Sequence, residues 1–168
     1  LYTIQGGSHR YIEVLIKNFQ DAIQLNSPVK QVVRKADSVE IQIGNSTDKT
    51  SHHAYFDAVI FACHSDQALA LLGDASQIET DILTALPYQK NKVVLHRWQN
   101  ILPQNRKAWA SWNYHILPKY EDQACVTYNM NLLQNLEAEK TYCVSLNYPE
   151  RIPKQDIIGE YTYSHPVF

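Results

Sequence analysis

Residues Val39-Glu40-Ile41-Gln42-Ile43 alternate apolar and polar side chains without a break. A period of two places the three aliphatic groups on one face of an extended chain, so the stretch is predicted as a half-buried strand. Immediately upstream, Val29-Lys30-Gln31-Val32-Val33-Arg34 is rich in β-branched residues and follows Pro28, which cannot continue a helix. Lys35-Ala36-Asp37-Ser38 between the two segments reads as a tight turn. An antiparallel hairpin is therefore the element around which the rest of the chain has to be arranged.

The flanks add helices and more strands. Gly6-Gly7 precedes Ser8, a good N-cap, and Tyr11, Val14, Leu15, Phe19 and Ala22 follow at helical spacing, which predicts a helix over 9–22. After a polar loop over 44–51 and a short strand at Ala54–Phe56, the run Ala58-Val59-Ile60-Phe61-Ala62 is apolar on both faces and reads as a fully buried strand. Ser65 is predicted to cap a helix through Leu72. Ser76-Gln77-Ile78-Glu79 matches the capping box, with Ile78, Ile82, Leu83 and Leu86 as a buried stripe and Pro87 as the stop. Strands are expected at Lys92–Trp98, Ala108–Tyr114, Ala124–Asn129 and Tyr142–Leu146, with helical turns at Asn131–Leu136 and Pro153–Ile158. The fold class implied is mixed α/β of the α+β kind: a largely antiparallel sheet flanked by helices.

Composition narrows the function classes. Apolar residues make up 45% and charged residues 19% of the 168, the balance of a chain that can bury a core rather than of a disordered one. A net charge of -2 offers no electrostatic footprint for nucleic acid. No apolar run approaches the ~20 residues of a membrane-spanning helix. The cysteines Cys63, Cys125 and Cys143 are odd in number and lack metal-ligand spacing, which suggests a reducing, cytoplasmic setting. The chain begins at leucine, its single methionine is Met130, and it ends on Tyr163-Ser164-His165-Pro166-Val167-Phe168. Both ends read as interruptions, so an internal segment of a longer protein is expected.

Few residues announce chemistry. There is no Gly-rich phosphate loop and no nucleophile elbow. Adjacent His52-His53 point apart on an extended chain and read as surface loop, and no metal site is expected. Cys63-His64 lacks an orienting third group and reads as a strand end followed by a turn. The segment Trp109-Ala110-Ser111-Trp112-Asn113-Tyr114 has two open readings. If extended, it places Trp109, Ser111 and Asn113 on one face and Trp112 and Tyr114 on the other. Sheet packing accounts for this, and so does the aromatic wall of a pocket for an apolar ligand. His96, between apolar neighbours, is either a satisfied core histidine or a further pocket residue. Lys92 opens a strand and reads as a solvated strand end or a functional amine.

Taken in order, these elements resemble the flavin-containing amine oxidases and their phytoene-desaturase-like relatives. The resemblance is carried by Gly6-Gly7-Ser8, Pro28-Val29-Lys30-Gln31-Val32 and Phe56-Asp57-Ala58-Val59-Ile60-Phe61-Ala62. A bacterial subgroup of predicted NAD/FAD-binding proteins is similar through Cys63-His64-Ser65-Asp66-Gln67-Ala68-Leu69, Ser111-Trp112-Asn113-Tyr114, Thr127-Tyr128-Asn129-Met130-Asn131 and His165-Pro166-Val167-Phe168. What the resemblance implies is an FAD-dependent oxidoreductase that moves a hydride from a small apolar substrate to the flavin. Its FAD domain would be discontinuous, with a substrate domain inserted. By that analogy residues 1–62 fall mostly on the FAD side and 63–168 on the substrate side, an arrangement compatible with one compact unit. Val29 stands where the family's backbone N–H and C=O bond the adenine. Lys92 stands near the place of a lysine that holds a water by the reactive flavin nitrogen, as does Asn91. The dinucleotide fingerprint and the segment that closes over the flavin ring are absent from this sequence. Alone, the chain is expected to be inactive. Its expected partners are the missing N- and C-terminal parts of its own protein, and exposed interface would favour self-association. The competing class is a non-catalytic binding module for an apolar ligand.

Overall fold

The computed structural model describes residues 2–44, 51–116, 125–148 and 151–167, so the expected polar loop over 45–50 lies outside the described residues. The fold is α+β, with two antiparallel sheets of three and five strands. The chain divides into two compact units. One comprises 1–18 and 89–165; the other comprises 19–88 and 166–168.

The unit built on 19–88 contains the hairpin. Strand β1 (Val29–Arg34) pairs with β2 (Val39–Gly44), and β2 pairs with β3 (Ser51–Phe56), all antiparallel. The Lys35 N–H donates to the Ser38 carbonyl at 2.8 Å and closes the predicted turn. Val32, Ile41 and Ala54 stand opposite one another across the three strands, as the alternation requires. Val32 is buried together with Ala68 of helix α2 (Ser65–Leu71). The Gly73 N–H reaches the Val32 carbonyl at 2.9 Å along the outer edge of β1. A Cβ on Gly73 would lie 2.5 Å from the Gln31 side chain and 2.9 Å from that of Val33, so only glycine allows this approach.

Arg34 locks the hairpin to the turn at Asp74 and to the helix that follows it. Its Nε donates to Asp74 Oδ2 at 2.9 Å, and its Nη1 and Nη2 grip both oxygens of Glu79 at 2.7 and 3.0 Å. Glu79 Oε2 also accepts from the Ser76 N–H at 2.8 Å, completing the capping box that starts helix α3 (Gln77–Thr84). One carboxylate thus serves the cap and the bidentate arginine. The Arg34 guanidinium holds Glu79 down to about 2 and also lowers Asp74.

Four expectations fail in this unit. His52 and His53, read as surface loop, lie within β3 opposite Ile43 and Gln42. Residues 58–62 form no strand, and Ile60 is 92% exposed. The three-stranded sheet ends at β3, so no neighbour offers this apolar run a ladder. Helix α3 starts where predicted, but Ile78 is 71% exposed and Ile82 is exposed as well, since no element among the described residues covers that stripe. The cap of α2 is His64 rather than Ser65: the Gln67 side chain accepts from the His64 N–H at 3.3 Å, while the Ser65 N–H goes to the Tyr88 hydroxyl at 2.9 Å.

The other unit is a five-stranded sheet in the order β5-β6-β7-β4-β8, from β4 (Tyr88–His96), β5 (Trp112–Tyr114), β6 (Val126–Asn129), β7 (Cys143–Leu146) and β8 (Ile157–Pro166). Helix α1 (His9–Ile16) belongs to it and is shorter than predicted, since Phe19 at φ -140 leaves helical backbone. Ser8 makes no side-chain cap, and Tyr11, Val14 and Leu15 are exposed. Gly6 and Gly7, at φ 82 and 92, supply the left-handed turn before it. Helix α4 (Met130–Gln134) is capped by Asn129, whose Oδ1 accepts from the Leu132 N–H at 3.3 Å, and ends at left-handed Asn135. Strand β5 begins later than expected because Asn105 caps a turn at Arg106–Ala108. The expected helical turn near 153–158 is one turn at Lys154–Asp156, and the ten-residue β8 behind it was not anticipated. Among the described residues no helix is long and apolar enough to cross a membrane.

The Arg34 cluster sets an acid limit. A carboxylate whose pKa folding depresses stabilises the fold above its unfolded value, and that contribution is lost as pH falls towards the folded one. Urea midpoints of the native chain are therefore expected to fall between about pH 4.5 and 2. Arg34→Ala should unfold earlier at neutral pH and show a shallower decline across that window. Parallel pH profiles for both proteins would remove the clamp's role.

Candidate functional site

The five-stranded sheet has an unusual buried face. Alternation along β4, β6 and β7 brings Val94, His96, Cys125, Thr127, Asn129, Cys143 and Ser145 to one side, and all are buried. Register sets their contacts: Thr127 faces Ser145, and His96 faces Cys143. Ile101 and Leu102 pack with Cys143, joined by Trp98, Trp109 and Tyr148.

Four polar side chains on this face form one line. His96 Nε2 lies 2.9 Å from Ser145 Oγ, Ser145 Oγ lies 2.8 Å from Thr127 Oγ1, and Thr127 Oγ1 lies 2.9 Å from His115 Nε2. The other nitrogen of His96, Nδ1, accepts the Trp98 N–H at 3.2 Å. That bond fixes the proton of a neutral His96 on Nε2, which donates to Ser145. Ser145 and Thr127 each carry one proton, so a line that runs from His96 through Ser145 and Thr127 to His115 satisfies all three contacts. Burial pushes His96 down to about 4 and lowers His115, which keeps both rings neutral near pH 7. Ser145 is fully buried and accepts a hydrogen bond from His96 Nε2, so His96 has no lone pair facing it to act as its base and the pair is not an activated nucleophile.

The line ends at a groove. His115 meets the Tyr148 ring edge-on at 5.4 Å, and Tyr148 lines a cavity of about 230 Å³ with Lys92, Val94 and Ile152. Lys92 Nζ pairs with Glu160 of β8 at 3.0 Å. Its backbone is pinned by Asn147, whose N–H donates to the Lys92 carbonyl at 2.9 Å and whose Oδ1 accepts the Lys92 N–H at 3.0 Å. Asn91, the alternative to Lys92, is buried and bonded to Asn147 at 2.6 Å and to His165 at 2.7 Å.

The predicted pocket residues are dispersed. His96 and Asn113 share the inner side of the sheet; Asn113 Nδ2 donates to the Ala110 and Thr127 carbonyls at 2.8 and 3.2 Å. Trp112 and Tyr114 project from the other face and are exposed, with Trp112 edge-on to Tyr128 at 5.6 Å. Trp109 precedes the strand; its Nε1 donates to the Pro103 carbonyl at 2.7 Å, and Arg106 covers its ring. The Ser111 carbonyl accepts the Asn129 N–H at 2.9 Å. Val29 lies in the other unit, at the start of edge strand β1. Ser145, Thr127 and His115 escaped the sequence reading. The available signal was a polar residue at the inward position of two adjacent strands.

Ser145→Ala is expected to destabilise the chain by about 1–3 kcal/mol, since it leaves the buried His96 Nε2–H without an acceptor. Chemical denaturation measures this, and a loss under about 0.5 kcal/mol, the size of an ordinary surface substitution, would mean the line contributes little. Among the described residues no group of three or more His, Cys, Asp or Glu is placed to hold a metal ion. No protein-family model matches the chain, and no curated protein matches its sequence.

Proposed function

We propose that this chain is part of an FAD-dependent, amine-oxidase-like oxidoreductase that takes a hydride from a small apolar substrate. The observation that carries the reading is the order of the units along the chain. Residues 89–165 belong to one compact unit and interrupt another built from 19–88 and resuming at 166. A substrate domain inserted into a discontinuous cofactor domain has this layout. The compact units change over after residue 88, and the segment 1–18 goes with 89–165.

Bound FAD supplies the hydride acceptor; the protein positions it. On this reading the hairpin unit carries the adenine through the backbone of Val29, at the start of edge strand β1. Lys92, held in place by Asn147 and Glu160, would hold the water near the reactive centre. Exposed Ile60, Ile78 and Ile82 would pack against the remaining parts of the same protein, and in their absence would favour self-association. Three free cysteines fit a cytoplasmic setting.

The test is made on the complete natural protein that contains this segment. It should purify with stoichiometric FAD, bleach anaerobically with an apolar amine, and keep its flavin in Lys92→Met while turnover falls by about 100-fold. A protein that stays colourless after reconstitution with FAD would overturn the reading.

A further inference from the structure

The groove beside β4 and β8 has its own chemistry, and we propose that it binds a small carboxylate bearing a short apolar tail. Its floor is Val94, Ile152 and Ile157, with Tyr148 as a wall. Among the described residues, its charged lining consists of Lys92, Arg151 and Lys154 against the carboxylate of Glu160. Glu160 is already paired with Lys92 at 3.0 Å. Among the described residues that line the groove, Arg151 and Lys154 are the cations left over. An arginine presents parallel N–H donors that match a carboxylate, and a second cation nearby strengthens the same preference.

Size and polarity narrow the ligand. A cavity of about 230 Å³ is below the ~300 Å³ at which drug-sized pockets begin, so the occupant is small. An inorganic anion would leave the floor of Val94, Ile152 and Ile157 without a contact; a short hydrocarbon tail would cover it. Tyr148 is held edge-on by Trp98 at 6.4 Å and by His115 at 5.4 Å, so the wall is in place before the ligand arrives. The groove lies wholly within the unit of 89–165 and does not depend on the flavin reading.

The 168-residue chain should be titrated with hexanoate by calorimetry, with hexanamide and inorganic phosphate as comparisons. Saturable hexanoate binding is expected, with hexanamide at least tenfold weaker and phosphate unable to displace hexanoate at equal concentration. Arg151→Gln and Lys154→Gln, both at exposed positions, should each weaken hexanoate about tenfold, the loss of one charge-assisted contact. Circular dichroism confirms that the variants fold. Absence of saturable binding, equal affinity for hexanamide, displacement by phosphate, or unchanged affinity in both folded variants would each overturn the assignment. Because the titration needs no flavin, its failure leaves the oxidoreductase reading to its own test.

Discussion

The inner face of the five-stranded sheet carries a hydrogen-bonded line from His96 through Ser145 and Thr127 to His115, and the rest of that unit is arranged around it. Buried hydroxyls and imidazoles are costly unless satisfied, so each member requires the next. The register of three strands must be correct for the line to close, since a slip of one residue would turn Thr127 or Ser145 to the opposite face. The backbone bond from Trp98 to His96 gives the line its direction. The polar line, more than an oily core, specifies this sheet.

The same frame presents the groove beside β4 and β8. His115 touches Tyr148, Tyr148 walls the groove, and Asn147 holds the backbone of Lys92 at its rim. The residues that recognise a ligand there are exposed, and the residues that position them are buried. In the hairpin unit, Arg34 has the comparable organising part, joining β1 to the turn before α3 through Asp74 and Glu79. That cluster is electrostatic and exposed, and therefore screened by salt where the buried line is not.

Local signals in the sequence were read well where the physics is local. Strands β1 and β2, their turn and the Ser76–Glu79 cap are each fixed by neighbours within a few residues. Legibility ends where the outcome depends on a distant partner. The run 58–62 has the composition of a central strand but no adjacent strand. The stripe Ile78–Ile82 has helical spacing but no cover. Strand β8 alternates only through tyrosines between polar residues: Gly159 leaves room for the Tyr161 ring, which stacks on Tyr163 at 5.9 Å. Within the candidate site, His96 and Lys92 stood out as single residues. Thr127, Ser145 and His115 have meaning only once register pairs them, and Arg151 and Lys154 only once β8 is in place.

Nitrogen-detected NMR of the two histidines tests the account most directly. At neutral pH His96 should be a neutral ring protonated on Nε2 and His115 a neutral ring protonated on Nδ1, with a hydrogen-bond coupling visible from His96 to Ser145. A His96 that is protonated on Nδ1, or charged at pH 7, would contradict the directed line and the fold built around it.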